Sequence, residues 1–489
     1  MKNIRINILA LGITLLHGLF LFSSCREIPV NVHEVGESPA IYPDYTEVTI
    51  PSSIAPLNFT YATETERMDV MFRGSEGGEI SIQGKEAVIP PGKWKKLLDE
   101  NRGGRLEVTV AVKQNGRWTR YLPFRIYVSE YPIDYGLAYR LVAPGYEIYS
   151  RMGIYERNLS DFTQRAILEN TFIPGSCVNC HSFRETDTES LSLHVRGQHG
   201  GTVLKVGGET NILDLKTPET AGRGVYPYWH PSGKYIAYSQ NDTRQVFHAS
   251  NDKRVEVFDF SSDVTVYDVA NNRMLTPPSL STNGFETFPV FSPDGESLYF
   301  CLADFHRLPA EYAKVRYNLC RIAFDAETGR FGEKVDTLIR ASEMEKSISF
   351  PRPSYDGRYI MYTLSDYGNF SIWHKEADLW LLDLQTGKNR LLDEVNSADT
   401  ESYHSWSSNN RWFVFSSRRD DGLYTRLYLA SIDEEGNVSK PFMLPQQTPG
   451  RYDPSFYSYN IPEFISAPVK LDVRKIEKQL LSGERTKAN

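Results

Sequence analysis

Residues 288–300, with the sequence FPVFSPDGESLYF, decide the fold of this chain. They combine an aromatic-Pro step, a short strand, a Ser-Pro-Asp-Gly turn and a second apolar strand. The Asp-Gly step allows the positive φ that a tight turn between two strands needs. Similar stretches begin at Tyr226 (YPYWHPSGKYIAYS), Phe350 (FPRPSYDGRYIMYT) and Tyr403 (YHSWSSNNRWFVFSS). Their starts lie 62, 62 and 53 residues apart, and this repeat of strand composition predicts a β-propeller.

A fifth start of the same kind, at residues 452–456, is not followed by strands of its own. We expect residues 202–206 and 211–216, ahead of the first full repeat, to complete that blade. Mixing the two ends of a chain in one blade removes exposed strand edges. The sequence therefore predicts a propeller over residues 201–471, with five blades or six, followed by a polar tail at 472–489 that frays or forms a short surface helix.

Composition limits the class of protein. With 489 residues, the chain is long enough for two or three domains. Its 29 Tyr and 25 Phe favour strands, and we expect an all-β protein. A net charge of -8 argues against a nucleic-acid partner, because such binders cluster Lys and Arg on one surface. No nucleophile elbow, HExxH motif or phosphate-binding loop occurs, so a hydrolase or transferase is not expected.

The first 24 residues predict a cleaved signal peptide. Lys2 and Arg5 precede an apolar run at residues 6–22, and two serines lead directly to Cys25. This arrangement resembles the lipobox of bacterial lipoproteins, in which the cysteine becomes the lipid-modified N-terminus. An ordinary signal peptide or an uncleaved anchor is the alternative. We expect a lipid-anchored protein of the cell envelope, on its periplasmic or outer-membrane face.

A first domain is predicted at residues 45–134, after a linker at 25–44. Alternation in residues 106–112, a Gln-Asn-Gly turn and renewed strand composition at 118–128 indicate a hairpin. Earlier short, turn-bounded runs complete a small β-sandwich. No catalytic cluster occurs in it, and we expect a spacer or docking module.

The sharpest motif is Cys177-Val-Asn-Cys-His181, a CxxCH sequence that is the attachment signature of c-type haem. Two thiols three positions apart on a turn of helix meet the two vinyl groups of the porphyrin, and the histidine then faces the iron. We expect one haem c on Cys177, Cys180 and the proximal ligand His181, in a mainly irregular or helical segment at residues 135–200. A bare redox dithiol or a zinc site that adds His194 and His199 is the alternative.

The second axial ligand has three candidates near the motif. His194 is favoured, His199 is second, and Met152 is the thioether alternative to an open site. Arg196 is a candidate partner for a haem propionate.

Other cysteines and histidines carry weaker predictions. Cys301 and Cys320 lie in neighbouring strand-like runs, where a cross-strand disulfide and two buried free thiols are equal alternatives. His230, His374 and His404 lie in or near blade strands and could line the central channel as metal ligands, as in propeller lyases of the oligogalacturonate type, which this blade pattern resembles. Packing or turn capping is the more common role for such histidines.

The Ser-Pro-Asp-Gly blades resemble those of TolB-like, WD40-like propellers. Together with CVNCHSF, the HxRG and GGT segment, and HSWSSN with FSSRRDDGLYTRLY, they resemble Bacteroidetes lipoproteins described as TolB-like cytochrome c proteins. The resemblance covers roughly residues 135–465 and implies haem c at Cys177, Cys180 and His181.

Three functions follow as expectations. The first is electron transfer or redox sensing by a monohaem cytochrome whose propeller docks a redox or protein partner. The second is a propeller scaffold that recognises a protein or glycan, with a structural haem or zinc. The third is a metal- or haem-dependent enzyme.

Overall fold

The computed structural model describes residues 27–143, 151–220, 222–248, 253–449 and 456–489. The prediction of an all-β chain is confirmed, since only two α-helices occur among these residues. The predicted signal peptide and Cys25 lie outside the described residues. Within the described ranges, no helix is long and apolar enough to cross a membrane.

The first domain is a β-sandwich with one helix. Its elements, in chain order, are β1 (His33–Glu34), β2 (Ile41–Tyr42), β3 (Val48–Pro51), β4 (Phe59–Tyr61), β5 (Arg67–Gly74), β6 (Glu79–Gly84), β7 (Glu86–Ala87), α1 (Pro91–Glu100), β8 (Arg105–Gln114), β9 (Arg117–Arg120) and β10 (Phe124–Ser129).

Seven of these strands form one sheet, centred on β8, and β2, β4 and β7 form a second. The apolar residues of β5 and β8 alternate with polar ones and enter a shared core. The linker prediction for residues 25–44 is wrong, because β1 pairs with β9 and β2 pairs with β4, which makes both part of the sandwich. Helix α1 was not predicted. Its signals are Pro91 at the first turn and the spacing of Trp94, Leu97 and Leu98, which are all buried.

The second domain contains the strands β11 (Gly136–Val142), β12 (Gly153–Asn158), β13 (Gln164–Glu169), β14 (Cys177–Arg184), β15 (Asp187–Arg196), β16 (Gly201–Val206), β17 (Glu209–Asp214), β18 (Val225–Trp229), β19 (Tyr235–Phe247), β20 (Val255–Asp268), β21 (Arg273–Leu275), β22 (Phe285–Phe291), β23 (Ser297–Ala303), β24 (Asn318–Asp325), β25 (Arg330–Ile339), β26 (Ser347–Pro353), β27 (Tyr359–Ser365), β28 (Asp378–Asp383), β29 (Asn389–Leu391), β30 (Glu401–Trp406), β31 (Trp412–Ser417), β32 (Arg426–Ser431), β33 (Phe442–Met443) and β34 (Ser458–Ile465), then α2 (Val473–Ser482) and β35 (Thr486–Lys487).

These strands form a propeller of six four-stranded blades. Blades 1 to 5 start with β14, β18, β22, β26 and β30, and each continues with the next three strands in the chain. Blade 6 has β34 innermost, followed outward by β11, β12 and β13. Each innermost strand contacts the next, and β34 contacts β14, so the ring is closed.

The closure joins the two ends of the chain as predicted, but with other strands. The stretches 202–206 and 211–216, which were expected to complete the last blade, instead fall on β16 and β17 of blade 1 and the two residues after β17. The prediction of an irregular or helical segment is wrong for the described residues 135–143 and 151–200, because they supply three strands of blade 6 and two of blade 1. The propeller therefore starts at Gly136, and it has six blades, the larger of the two predicted counts.

The C-terminal segment is folded. Helix α2 is capped by the Asp472 side chain, which accepts from the Lys475 amide, and it ends at Gly483 in the left-handed region. Its Ile476 and Leu480 are buried, and β35 pairs in parallel with β17 as a fifth strand of blade 1. Of the two predicted alternatives for this tail, fraying or a short surface helix, the helix is confirmed.

Cys301 and Cys320 are free thiols that face different cores. Cys301 is registered with Leu319, and Cys320 with Phe300, so the two cysteines are offset by one residue on adjacent strands. An offset of one residue places side chains on opposite faces of a sheet. The disulfide alternative is therefore excluded in this fold, and the alternative of two buried thiols holds.

Candidate functional site

The CxxCH motif lies on β14, the innermost strand of blade 1. Cys180 has a φ of 48° and occupies the position at which every innermost strand bends toward the axis. The equivalent residues of the other blades have φ between 48° and 52°; they are Tyr226, Phe288, Phe350, Tyr403 and Ile461. Such values are uncommon for residues other than glycine, and six in register mark one repeated strand geometry.

The motif therefore lies at the start of a divergent repeat, which the sequence interpretation missed. CHSF at Cys180 corresponds to FPVF, and IPEF at Ile461 corresponds to it as well. The signal was present in YHSW at Tyr403, which shares the His-Ser step with CHSF. Because cysteine and isoleucine replace the aromatic residue, these two repeats could not be recognised by it.

The strand is irregular where the motif lies. Register with β15 shifts between Asn179 and Ser182, which is the mark of a β-bulge. Val178 packs in the core between blades 6 and 1, while Cys180 is buried at the axis and Cys177 stays half-buried at the start of the strand. The expected turn of helix is therefore replaced by a bulged strand.

His181 lies in the cleft between blades 6 and 1. Its ring packs edge-on against Phe183, at 6.1 Å between centroids. Burial lowers the pKa of His181 to about 4, and a hydrogen bond with the Ala138 backbone of β11 opposes the shift only in part. The imidazole is therefore neutral at pH 7, and its Nε2 is buried with no hydrogen-bond partner among the described residues.

His404 occupies the same repeat position in blade 5. Its Nε2 lies 2.9 Å from the carbonyl oxygen of Met361, on the second strand of the preceding blade. His181 makes the corresponding contact with Ala138 of blade 6. The two rings differ in which buried nitrogen has no hydrogen-bond partner among the described residues. It is Nδ1 in His404 and Nε2 in His181.

A guanidinium group joins two sulfur atoms at the open end of this cleft. Arg140 Nη2, on β11, lies 3.2 Å from Cys177 Sγ and 3.5 Å from Met152 Sδ. Arg140 Nε is buried and has no hydrogen-bond partner in the described part of the chain. Cys177, His181, Met152 and Arg140 thus lie together, and we call this group the blade 6–1 cleft.

His194 lies on the other side of blade 1. His194 is on β15, where it pairs with Asn179 of β14, and its Nδ1 is 3.2 Å from Thr202 Oγ1. Burial lowers its pKa to about 3. Ser192, two residues before His194 and on the same face of β15, contacts Tyr238 of blade 2. This face of blade 1 therefore points toward blade 2.

His199 and Arg196 lie near the start of β14. His199 is half-buried in the turn after β15, and Arg196 is registered with Cys177. Arg196 is exposed, and Cys180 and Cys177 lie within its electrostatic reach. Asp259, on the long β19–β20 hairpin, also acts on Arg196 and is itself buried, so the hairpin flanks the mouth of the channel.

The structure does not bring the zinc candidates together. Cys180 and His181 point to the axis and to blade 6, whereas His194 points to blade 2. Within the described ranges, no group of three His, Cys, Asp or Glu side chains is arranged to hold a metal ion.

Aromatic rings close the channel at the level of Cys180. The rings of Tyr226 and Phe288, of Phe288 and Phe350, and of Phe350 and Tyr403 lie 4.6, 4.2 and 4.6 Å apart. Tyr226 and Phe350 meet across the channel at 6.1 Å. The axis at this level is therefore filled by side chains.

Beyond the aromatic layer, the channel wall carries two ionisable side chains, Glu463 and Arg352. Glu463 is half-buried on β34 and accepts a 2.9 Å hydrogen bond from the Phe183 amide. Burial raises the pKa of Glu463 to about 8, against the opposing effects of Arg352 and of that amide. The Arg352 guanidinium lies over the Tyr228 ring at 5.3 Å.

The three blade histidines, His230, His374 and His404, each contact different partners. His230 Nε2 lies 3.0 Å from the Gly295 carbonyl oxygen, and His404 bonds to Met361 as described. His374 lies between two carboxylates, with Glu256 at 3.4 Å and Glu376 at 3.3 Å. The structure does not assemble them into a channel metal site, since each ring is engaged in its own neighbourhood.

No family model matches this chain. No curated protein matches it either. Among solved structures, it is similar to an oligogalacturonate lyase in complex with manganese, at 12% identity and a TM-score of 0.37 over 63% of this chain and 74% of the lyase. It is also similar to a DUF4784 family protein from Bacteroides caccae, at 9% identity and a TM-score of 0.31 over 75% of this chain and 96% of that protein. The similarity to prolyl oligopeptidase B from Galerina marginata has 10% identity and a TM-score of 0.34, over 76% of this chain and 52% of that protein. This chain therefore spans about half the length of that protein. The propeller assignment rests on the strand order above.

Proposed function

We propose that this chain is a monohaem c-type electron-transfer protein of the bacterial envelope, in which haem is attached to Cys177 and Cys180 and His181 is the proximal ligand. The observation that carries the proposal is the buried, unpartnered Nε2 of a neutral histidine in a CxxCH motif. An imidazole bonded to a backbone group through one nitrogen, with the other free, is the form in which histidine binds a metal.

The donor set fits the group. Both thiols are free, Cys177 lies at an open end of the blade 6–1 cleft, and the cation of Arg140 has only sulfur partners there among the described side chains. Arg140 is half-buried, and its buried Nε has no partner among the described residues. A half-buried guanidinium without an anion is unfavourable, and a propionate would supply one. Arg196, the exposed cation across from Cys177, is the second candidate for this role.

Attachment requires no redox partner. Each thiol would add across one vinyl group, with sulfur bonding to one carbon and hydrogen to the other, so that the chain would gain the full mass of one haem. Haem bound there supplies reversible one-electron chemistry. The chain itself contributes the covalent anchors, a neutral imidazole and a cationic rim.

The remaining expectations belong to the same proposal. The signal sequence and Cys25 favour a lipid anchor, with the sandwich as spacer. The face of the propeller at which β14 begins would then dock a redox partner, because Cys177 and Arg196 reach the surface there.

The test is expression with export in a host that matures haem c, followed by a pyridine haemochrome spectrum and intact mass after denaturation. We expect one c-type haem per chain, and none in the Cys177→Ala/Cys180→Ala double variant. The Cys301→Ala/Cys320→Ala variant is the matched control and keeps its haem. Wild-type protein without covalent haem under these conditions refutes the proposal.

A second candidate is a binding propeller without haem. It is favoured by the equivalence of His181 and His404, since His404 makes the same interblade contact with no CxxC before it. On this hypothesis His181→Asn lowers stability about as much as His404→Asn, and the two cysteines can be replaced without loss of partner binding.

A further inference from the structure

The identity of the second axial ligand depends on which sheet face a side chain occupies. His181 packs on the face of blade 1 that meets blade 6, through Phe183 and Ala138. His194 is on the opposite face, because it shares the face of its register partner Asn179, while Val178 and Val195 point into the core between blades 6 and 1. The strands β14 and β15 of blade 1 therefore lie between the His181 and His194 rings, and the two rings could not both hold one iron.

Met152 lies on the same side as His181. It precedes β12 of blade 6, is 8% exposed, and shares the Arg140 guanidinium with Cys177. The Arg140 guanidinium lies between Met152 Sδ and Cys177 Sγ, one of the two thiols proposed to attach haem.

The position of Met152 is fixed by Asn170. The Met152 amide donates to Asn170 Oδ1 at 2.9 Å, and the Asn170 amide donates to the Met152 carbonyl oxygen at 2.9 Å. Asn170 also contacts Ser176, the residue before Cys177, through Ser176 Oγ at 3.3 Å. One buried asparagine therefore holds both the thioether residue and the start of the CxxCH strand.

We propose that Met152, and not His194, supplies the second axial ligand, with Asn170 and Arg140 as positioning residues. This rests on the proposed function. A Met/His pair raises the reduction potential relative to other axial pairs. The inference therefore also assigns the protein to the high-potential side of electron transfer.

The experiment compares Met152→Leu with His194→Gln in the full-length holoprotein. Leucine keeps the volume of methionine, so the cleft stays packed. We expect Met152→Leu to lose the weak red absorption band of an iron–thioether bond, to become high-spin and to bind added imidazole, with a lowered midpoint potential. His194→Gln keeps the wild-type spectrum and potential. Met361→Leu, a buried methionine of blade 4, is the control for packing.

The outcomes separate the two proposals. The haemochrome assay reports covalent haem whatever the axial ligand is, so its absence from wild type refutes the function. Haem present with an unchanged Met152→Leu spectrum, or a high-spin wild type, overturns the assignment of Met152. Asn170→Ala tests positioning, and we expect a mixture of low-spin and high-spin iron with covalent haem retained.

Discussion

Replacement of Glu463 by glutamine is expected to remove a pH dependence of stability. Burial raises the pKa of this carboxyl from 4.5 to about 8, so the folded protein holds the proton over a range in which the unfolded chain releases it. A group with a raised folded-state pKa of this kind contributes stability that is complete below pH 4.5 and is lost as the pH rises toward 8. Glutamine is neutral at every pH and keeps an oxygen acceptor for the Phe183 amide.

The magnitude follows from the pKa. The rise in pKa from 4.5 to about 8 corresponds to at most about 5 kcal/mol of unfolding free energy, at roughly 1.4 kcal/mol for each pKa unit. The Glu463 side chain is only half-buried and faces the channel with Arg352 nearby, so solvent screening reduces this to about 1–2 kcal/mol. We therefore expect wild type to lose about 1–2 kcal/mol of unfolding free energy between pH 5 and pH 8, relative to Glu463→Gln.

The assay is urea denaturation of both proteins at several pH values, followed by tryptophan fluorescence. The difference in unfolding free energy between variant and wild type is the measured quantity, which cancels titrations elsewhere. Glu209→Gln, at the exposed first residue of β17, is the control and is expected to leave the pH profile unchanged. Parallel profiles for wild type and Glu463→Gln would refute the reasoning, because the carboxyl would then titrate alike in both states.

Three further outcomes are expected. Phe350→Ala removes the ring that contacts three others in the channel and should cost about 3–5 kcal/mol in urea denaturation, whereas Phe305→Ala, at a 60% exposed position, should be close to neutral. Cys301 and Cys320 should both react with a thiol reagent in denatured, unreduced protein, and a mass lower by two hydrogens would contradict this. Burial lowers the pKa of His374, but its two carboxylate partners outweigh burial and the net pKa is raised. Its stabilising effect is therefore present below pH 6.5 and lost at higher pH, so His374→Gln should increase amide exchange in the β19–β20 hairpin more at pH 6 than at pH 9.

The propeller was predictable because its signal is local. An aromatic-Pro step and an Asp-Gly turn lie within 13 residues in Phe288–Phe300 and recur. Blade 6 gave no such signal, since β34 and its partner β11 are separated by more than 300 residues in the chain. Pairing over that distance is decided by ring closure, which no window of sequence contains.

The site was predictable in part. The motif at Cys177 is local, but whether His181 and His194 share a sheet face depends on strand parity, which the bulge between Asn179 and Ser182 changes for His181. The same parity argument separates Cys301 from Cys320, where an offset of one residue decides against a disulfide. Arg140 carries no sequence signal at all, because its contact with Cys177 joins two blades.

The equivalence of His181 and His404 sharpens the choice between the two functions. If the histidine served only to tie a blade to its neighbour, the repeat would need no cysteine at the axis, and Tyr403 shows that an aromatic residue fills that place. Cys180, like Ile461 in blade 6, lacks the ring that the other four blades place in the aromatic layer. Cys177 sets a second thiol at the cleft beside an arginine whose described partners are sulfur atoms alone. Packing gains nothing from these exchanges, since a cysteine fills less volume than the ring it replaces and a guanidinium without an anion is costly to bury. The proposed haem, which would bond to both thiols and bring its own carboxylates, would account for Cys177, Cys180 and the partners of Arg140 together.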